Sequence, residues 1–410
     1  MSGAFAVFVH DTLVGHLLEE EHETIRFRTA ATYREMDGRP VLSQSLEDDL
    51  TRDRRAKHPR ELPAFFANLA PEGPLRELIC RTFNVADGDE LGLLATVAQD
   101  LPGAVDVRPV EEPPIETAIT FVTESGSVSD SEEQGLRFSL AGVQLKFSAL
   151  REGHRLVLPT RGRRGEWIVK FDTGRFADVA ENEFTMMEWA RAAGFDVPEC
   201  HLHAAEDLDG LPRRHAPAGT RVFVIRRYDR TPAGRIHQED FAQVVGLQPR
   251  LKYEQRTYEQ LAAIVLAIVG EAGYREFIRR LTLMVAVGNG DAHLKNWALI
   301  YPDRVHAALA PVYDQVATVA WPDVDRTLGL KLAGVKQIVR VDGEAFRRLA
   351  ERVGSDPTTT LRIVAETLEQ LAQAWREHGG GLPLPRAHRD SLRELWSRAP
   401  LLQATTSPFD

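Results

Sequence analysis

Two polar side chains in the second half of this chain have the types and the spacing of a phosphoryl-transfer site. Asp291 and Asn296 lie in the segment Leu283–Tyr301, where an apolar run stops at Gly288-Asn-Gly290 and resumes at Trp297. Because glycine and asparagine interrupt regular structure, the pair is predicted to lie on a tight loop between two buried elements. Asp-x-x-x-x-Asn is the spacing of a kinase catalytic loop, in which the acid accepts the proton of the substrate hydroxyl and the amide oxygen holds Mg²⁺.

A second carboxylate, Asp314, ends the short apolar run that begins at Leu309. Magnesium takes few protein ligands, all of them hard oxygens, and completes its shell with phosphate and water. The amide of Asn296 and the carboxylate of Asp314 supply such a set of ligands. A single aspartate beside a Gly-Asn-Gly turn is more often a turn residue, so the kinase interpretation depends on Asp291, Asn296 and Asp314 occurring together. His293 is interpreted as a structural hydrogen-bonding residue rather than a proton carrier.

Two residues further upstream fit the nucleotide side of such a site. Lys170 lies among apolar neighbours in the predicted strand Glu166–Phe171. A lysine is seldom buried alone, so its amine either reaches solvent or meets an anion such as a nucleotide phosphate. The helix that starts near Val179 and ends by Gly194 carries Glu183, and a helix glutamate pairs with the strand lysine in kinases. Glu183 is the candidate partner; the alternative is a solvated side chain.

A glycine-containing segment before this strand is a candidate phosphate loop. Ser139 offers a hydroxyl, Gly142 permits close approach of the backbone, and Lys146 adds a cation. Together these groups could cradle phosphates. There is no Walker or Gly-x-Gly-x-x-Gly pattern, and the plain alternative is a hairpin strand with a bulge at Gly142.

The remaining elements are predicted to form two lobes around a cleft. The strand Thr220–Arg230 leads into a hinge, whose backbone would bond the adenine edge while Tyr228 covers a ring face. Helical periodicity extends over Gln238–Leu281 and Gly343–Trp396, most clearly at Tyr258–Ile268 and Pro357–Trp375. Strands followed by helices predict an α+β pair of lobes.

A smaller α+β unit precedes the lobes. Its predicted strands are Phe5–Val9, Thr12–Leu18 and Thr24–Arg28, and its predicted helices are Leu75–Phe83 and Asp89–Val97, the latter with Asp89 as N-cap. After it the composition shifts to Pro, Glu, Ser and Thr, which can bury little and indicates a linker, with one short strand predicted at Ile119–Val122. The predicted boundaries are 1–108 for this N-terminal module, 109–134 for the linker or mobile loop, 135–232 for the N-lobe and 233–410 for the C-lobe.

Bulk properties narrow the class of protein. A net charge of −10 argues against strong intrinsic DNA binding. Cys80 and Cys200 have neither disulfide nor zinc spacing, which fits a reducing compartment. The first residues lack a basic, apolar signal-peptide pattern, and no apolar run reaches the length of a membrane span. We therefore expect a cytoplasmic protein without a membrane partner.

The motifs resemble the HipA family of serine/threonine kinase toxins of bacterial type II toxin–antitoxin systems over nearly the whole chain. The similar segments are Ser139–Lys146, His237–Gln243 with Lys252-Tyr-Glu254, Gly290–Asn296 with Tyr313-Asp314, and, in the N-terminal module, Phe65–Gly73 and Ala98–Ala104. The resemblance implies a two-lobed fold akin to the protein and phosphoinositide kinases, with an N-terminal α+β subdomain and a helical C-lobe.

The resemblance also implies cofactors, site residues and partners. It implies ATP and Mg²⁺, Asp291 as catalytic base, Asn296 and Asp314 as metal ligands, and autophosphorylation of Ser139, which switches the enzyme off. Expected partners are a helix-turn-helix antitoxin similar to HipB, operator DNA through that antitoxin, and a protein substrate such as an aminoacyl-tRNA synthetase. The nucleotide-binding residues expected from the motifs are Ala141, Gly142, Val143, Gln144, Lys146, Lys170, Arg226, Tyr228 and Lys295.

Two other functions remain open from the sequence. Small-molecule phosphotransferases use a similar His-Gly-Asp-x-x-x-x-Asn loop, but Asn289 stands here in the place of the histidine, and the Ser139 loop and N-terminal module have no counterpart. A pseudokinase acting as a binding module or corepressor is the other alternative. The presence of Lys170, Asp291, Asn296 and Asp314 argues against it.

Overall fold

The computed structural model describes residues 4–20, 23–86, 88–110, 146–152, 155–157, 165–171, 176–209 and 219–404. Several sequence predictions lie outside these residues. They are a short strand at Ile119–Val122, nearly all of the linker 109–134, and the phosphate-loop residues Ser139, Ala141, Gly142, Val143 and Gln144.

The N-terminal module is a five-stranded antiparallel sheet in the order β4-β3-β2-β1-β5, covered by short helices. The predicted hairpin and third strand are confirmed, and Asp89 caps its helix by accepting a 2.8 Å hydrogen bond from the Gly92 amide. The elements are β1 (Ala4–Val9), β2 (Thr12–Glu20), β3 (Thr24–Thr29), α1 (Ala31–Arg34), α2 (Gln44–Glu47), β4 (Arg54–Arg55), α3 (Ala64–Ala67), α4 (Gly73–Phe83), α5 (Glu90–Val97) and β5 (Val105–Pro109).

A six-stranded sheet in the order β10-β7-β6-β8-β11-β9 forms the N-lobe, with one long helix against it. The strand predicted around Lys170 and the helix predicted from Val179 are both confirmed. The elements are β6 (Lys146–Glu152), β7 (Arg155–Val157), β8 (Trp167–Lys170), α6 (Val179–Ala192), β9 (Cys200–Ala204), β10 (Leu208–Asp209) and β11 (Arg221–Arg226).

The C-lobe is mainly helical but also holds three small sheets. Residues Gln238–Asp240 were included in the helical stretch expected from periodicity; together with His237 they form a strand instead, because they pair in register with Tyr301–Ala298. The elements are β12 (Arg230–Thr231), β13 (Gly234–Arg235), β14 (His237–Asp240), α7 (Phe241–Val244), α8 (Tyr258–Val269), α9 (Glu271–Val287), β15 (Ala298–Tyr301), β16 (Ala308–Leu309), β17 (Thr327–Leu332), β18 (Val335–Gln337), α10 (Gly343–Val353), α11 (Pro357–His378), α12 (Arg386–Arg398) and α13 (Pro400–Gln403).

Strand β11 shows how the lobes and the module are joined. Val222 and Val224 belong to a hydrophobic core shared with the N-terminal module, whereas Phe223 and Ile225 belong to a core shared with α6 and the C-lobe. Since successive side chains of a strand point to opposite faces, the N-lobe sheet is buried on both sides. This burial on both sides explains why the sequence of β11 is continuously apolar from Val222 to Ile225.

The cysteines and the possibility of a membrane-spanning helix were also addressed by the sequence. Among the described residues, neither Cys80 nor Cys200 forms a disulfide; Cys200 is buried and Cys80 is partly exposed. No helix among the described residues is long and apolar enough to cross a membrane.

Candidate active site

The predicted catalytic loop begins where α9 ends. Gly288, at φ 72°, takes the left-handed conformation that closes the helix, which glycine adopts without strain. A Cβ on Gly290 would lie 2.5 Å from the carbonyl oxygen of Thr327, so only glycine fits there. The loop therefore runs tightly between α9 and the backbone of β17 before it turns into β15, and the Gly-Asn-Gly interruption has a packing reason at both glycines.

Asp291 is at the exposed tip of this loop and has a neighbour that the sequence gave no reason to expect. The hydroxyl of Tyr253 donates a hydrogen bond to Asp291 Oδ1. On the backbone side, the Asp291 amide donates to Asn289 Oδ1 at 3.0 Å. Burial, the charge of Asp291 and this hydrogen bond raise the pKa of Tyr253, so the phenol stays protonated and acts as the donor. Asp291 is thus held through its carboxylate by Tyr253 and through its backbone amide by Asn289.

The two predicted metal ligands lie side by side. Asn296 Nδ2 is 3.1 Å from Asp314 Oδ2, and Asn296 Oδ1 accepts from the His293 amide at 3.2 Å. One carboxylate and one amide fit Mg²⁺, which takes few protein oxygens when phosphate completes its shell. Binding by both would need the amide to turn so that its oxygen faces Asp314. Asp314 itself has φ 52°, an unusual backbone conformation for a residue other than glycine.

Lys170 joins the lobes at this point. Its ammonium lies 2.5 Å from Glu183 Oε1 on α6 and also bonds Asp314 Oδ1. Lys170 and Glu183 are 7% and 1% exposed, so both charges depend on each other for compensation. Burial alone would lower the pKa of Lys170, but the carboxylates of Asp314 and Glu183 raise it overall. The lysine therefore carries its charge, in the place where a nucleotide phosphate would meet it.

His293 has the structural role expected of it. Its Nδ1 accepts a 3.2 Å hydrogen bond from the Lys295 amide, which caps the short 3₁₀ turn Leu294–Asn296. Burial, together with the charges of Lys252 and Lys295, lowers its pKa to about 3. The imidazole is therefore neutral near neutral pH and is not poised as a proton carrier.

Lys295, predicted to bind nucleotide, is held by the N-terminal module. Its ammonium lies 2.5 Å from Glu72 Oε1 and 3.1 Å from the carbonyl oxygen of Asn68. Lys252 bonds the other oxygen of Glu72 at 3.0 Å. Although burial favours the neutral acid, the two lysines lower the pKa of Glu72 to about 2. Lys295 also lines the cleft, so it borders the predicted nucleotide site while bonded to the module.

The predicted hinge residues border the same cleft. Arg226 ends β11 and is exposed, and its backbone amide already donates to the Glu199 carbonyl at 2.8 Å. Tyr228 donates its hydroxyl to Gln238, and its ring centre lies 5.7 Å from that of Tyr313. The Tyr228 ring is therefore fixed at the cleft wall, where it can cover a planar group.

One cavity of about 680 Å³ connects these groups. The described residues on its wall include both predicted metal ligands, the predicted base and the strand lysine, together with apolar side chains such as Ile168, Ile225 and Leu328. The predicted site residues that it brings together are Lys170, Arg226, Tyr228, Asp291, Lys295, Asn296 and Asp314. Glu183 reaches the site through Lys170, and the backbone of Lys146 pairs with Lys170 in the adjacent strand. Among the described residues, no cluster of three or more His, Cys, Asp or Glu side chains could hold a metal ion; a two-ligand magnesium site does not require one.

Sequence reasoning did not assign roles to three residues of this site. Asn289, 1% exposed, donates to the Asp314 carbonyl at 3.1 Å and accepts from the Asp291 amide. Asp240 lines the cleft, and burial raises its pKa to about 6. Tyr253 bonds the predicted base. Asp240 had a local signal, since it forms a capping box with Gln243. Asn289 and Tyr253 lie at motif positions, but the contact of Asn289 with Asp314 and that of Tyr253 with Asp291 could not be predicted, because each joins segments that are distant in sequence.

Comparison with known proteins agrees with this geometry. The model of the HipA-like C-terminal domain matches residues 138–375, and that of the HipA N-terminal domain matches residues 5–108. The candidate kinase Y4dM of Sinorhizobium fredii is 37% identical over 370 residues, with 88% of each chain covered. A second candidate kinase of that organism, Y4mE, is 27% identical over 388 residues, again with 88% of each chain covered.

A solved structure has the same fold. The toxin HipA of Shewanella oneidensis, determined with HipB and its operator DNA, superimposes with a TM-score of 0.72 over 97% of this chain and 96% of its own. The sequence identity is 18%, so the likeness concerns the fold. The expected two-lobed, kinase-like α+β fold is thereby confirmed.

Proposed function

The chain belongs to the HipA family, and from this we propose that it is an ATP-dependent serine/threonine protein kinase. The observation that carries the proposal is that one cleft brings together the ion pairs of Lys170 with Glu183 and Asp314 and the exposed carboxylate of Asp291. Such a cleft offers a cation for phosphates and a carboxylate for an acceptor hydroxyl. A family model covering residues 138–375 supports the same activity.

The residues divide the reaction between them. Asp291 accepts the proton of the attacking hydroxyl, and its carboxylate orients that hydroxyl towards the γ-phosphorus. Lys170 binds nucleotide phosphates while Glu183 holds it in place. Mg²⁺ on Asn296 and Asp314 would neutralise charge on the transferring phosphoryl group. Most of the acceleration comes from positioning and electrostatics rather than from covalent chemistry.

We further propose that this kinase is the toxin of a HipBA-like pair and that its substrate is a protein of translation, such as an aminoacyl-tRNA synthetase. The relative from Shewanella oneidensis was solved with HipB and operator DNA. A net charge of −10 suits a basic, DNA-binding partner, which would bring this acidic chain to DNA indirectly. Autophosphorylation of Ser139 would switch the enzyme off, because a dianionic side chain excludes nucleotide phosphates from the same loop.

Mass spectrometry of the purified chain after incubation with ATP and Mg²⁺ tests the activity. We expect phosphate on Ser139 in the unsubstituted chain. In Asp291→Asn the rate of its appearance should fall about 100- to 10,000-fold, the usual contribution of a positioned base. Asp390→Asn, an exposed aspartate on α12, is the matched control and should keep the normal rate.

The possible results of this experiment distinguish the proposed protein kinase from the two alternative functions. Near-normal phosphorylation of Asp291→Asn would remove Asp291 from its role. If no phosphate appeared on any residue of the unsubstituted chain but nucleotide bound, a small-molecule phosphotransferase would be favoured. Failure to bind nucleotide would favour a binding module or corepressor.

A further inference from the structure

One segment of the N-terminal module reaches into the active site. Asn68 and Glu72 both line the catalytic cleft, although they belong to the module and not to either kinase lobe. Asn68, 2% exposed, is anchored to the C-lobe by donating to the Leu247 carbonyl at 2.8 Å. The segment Asn68–Glu72 is therefore a fixed part of the cleft wall.

Glu72 holds two lysines, one in the catalytic loop and one in the segment that is hydrogen-bonded to it. Its two carboxylate oxygens lie 2.5 Å from Lys295 Nζ and 3.0 Å from Lys252 Nζ, and the lysine side chains are 8% and 9% exposed. Two ammonium groups so close together and so little hydrated would repel each other without an intervening anion. Glu72 is also the N-cap residue of α4, yet its side chain does not cap that helix. Its carboxylate is directed to the lysines instead.

Both lysines are connected to the reacting groups. Lys295 lies next to Asn296, a predicted metal ligand. The carbonyl of Lys252 accepts a 3.1 Å hydrogen bond from the Leu294 amide in the catalytic loop. The residue after it, Tyr253, donates its hydroxyl to Asp291. A single carboxylate of the module thus contacts the loop that carries the predicted base both directly, through Lys295, and indirectly, through Lys252.

We infer that Glu72 is a positioning residue of the kinase, supplied by the N-terminal module: it fixes the catalytic loop through Lys252 and Lys295 and limits the positive charge that faces the nucleotide. This inference rests on the proposed kinase function and extends it. An ammonium has three N–H donors, and Glu72 and Asn68 occupy two of those of Lys295, which leaves one for a phosphate oxygen.

The charge balance around Glu72 predicts a combination of effects that a purely structural role would not give. Replacing Glu72 by glutamine removes one negative charge, so the net charge of the cleft wall becomes more positive by one unit. It also removes the anion that holds both lysines. Extra positive charge strengthens the binding of an anionic nucleotide, so the dissociation constant for ADP with Mg²⁺ should fall about 3- to 10-fold. A catalytic loop that is no longer fixed transfers phosphate more slowly, so kcat should fall about 10-fold or more. Simple loss of structure would weaken nucleotide binding instead.

The experiment compares Glu72→Gln with Glu61→Gln. Glu61 is a matched control because it also joins the module to the C-lobe, through Arg250 at 2.8 Å, but on the exposed surface. Calorimetric titration with ADP and Mg²⁺ gives the affinity, and phosphorylation kinetics with ATP give kcat. We expect tighter ADP binding together with a lower kcat in Glu72→Gln, and neither change in Glu61→Gln. Glu72→Asp, which keeps the charge, should bind nucleotide as the unsubstituted chain does.

The inference is overturned if Glu72→Gln matches Glu61→Gln in kcat, or if it binds ADP no more tightly than that control. Thermal unfolding of all three variants verifies that they are folded at the assay temperature. Should the unsubstituted chain transfer no phosphate, the proposed function fails. The affinity comparison would still decide whether Glu72 sets the charge of the cleft.

Discussion

At the scale of single residues, the site depends on short polar contacts between segments distant in sequence. Asn289 is the clearest case, since its one amide bonds both the backbone of Asp291 and the carbonyl of Asp314. The predicted base and a predicted metal ligand are therefore set relative to each other by this one buried side chain. Thr318 adds a second link, accepting from the Gly290 amide at 2.7 Å and donating to the Gly288 carbonyl at 3.0 Å.

Substitution of Asn289 should therefore slow the reaction without abolishing the fold. Asn289→Ala loses both hydrogen bonds, and we expect kcat to fall about 10- to 100-fold, as when reacting groups shift by a fraction of an ångström to one ångström. Asn289→Asp keeps the acceptor for the Asp291 amide but places a carboxylate against the Asp314 carbonyl, so it too should be slow. Phosphorylation kinetics together with thermal unfolding measure the effect. Normal kcat in both variants would contradict the positioning role.

At the scale of elements, strand β14 connects the C-lobe with the N-terminal module through one buried acid. Glu239 is fully buried; its carboxylate accepts from Ser43 Oγ at 2.6 Å, from the Gln44 amide at 2.9 Å and from the Tyr301 hydroxyl at 2.5 Å. None of these donors carries a charge. Burial therefore outweighs the hydrogen bonds and raises the pKa of Glu239 to about 7.

This raised pKa makes the stability pH-dependent. The ordinary pKa of glutamate is 4.5, so between that pH and about 7 the folded chain keeps a proton that the unfolded chain loses. The stability that Glu239 contributes is therefore fully present below pH 4.5 and is lost as the pH rises through about 7. Relative to Glu239→Gln, which does not titrate, the unfolding free energy should decrease by about 2 to 3 kcal/mol between about pH 5 and about pH 8.

Urea unfolding of the chain and of Glu239→Gln at a series of pH values measures this difference. A difference that stays constant with pH would mean that Glu239 keeps the same protonation state in the folded and unfolded chain.

At the scale of the whole molecule, the N-terminal module packs as one body with the kinase-like N-lobe. It covers one face of the N-lobe sheet with a shared hydrophobic core. It also contributes Asp100 to a buried ionic cluster beside the hinge. Asp100 Oδ1 lies 2.9 Å from both Arg227 and Arg230, and Asp229 lies 2.9 and 2.7 Å from the same two guanidinium groups. Two acids thus balance two arginines, and the module supplies half of the negative charge.

Removing the negative charge of Asp100 should lower the free energy of unfolding strongly. Asp100→Asn leaves two buried guanidinium groups with a single carboxylate, and breaking a buried ion pair on one side costs about 3 to 5 kcal/mol. Asp106→Asn is the matched control, because its partner Arg108 is 55% exposed and such pairs contribute about 1 kcal/mol or less. Urea unfolding measures both variants. Equal losses would show that the buried cluster is no more important than a surface pair.

The sequence by itself determined the elements and the family. Alternation and helical periodicity are local properties, so they located the first hairpin, the Lys170 strand and the α6, α8 and α11 helices. The spacing of Asp291 and Asn296 likewise lies within one loop. These features could be predicted because the residues that cause them are close together in the chain.

Only the tertiary structure decided how the site is assembled. Residues 237–240 form a strand because β15 offers them hydrogen-bonding partners from more than fifty residues further along the chain, and periodicity contains no information about such a partner. Glu72, Tyr253 and Asn289 act through contacts with Lys295, Asp291 and Asp314 that no spacing rule connects. The physical reason is that a buried charge or hydroxyl is satisfied by whichever group the fold brings within 3 Å of it, at any distance in sequence.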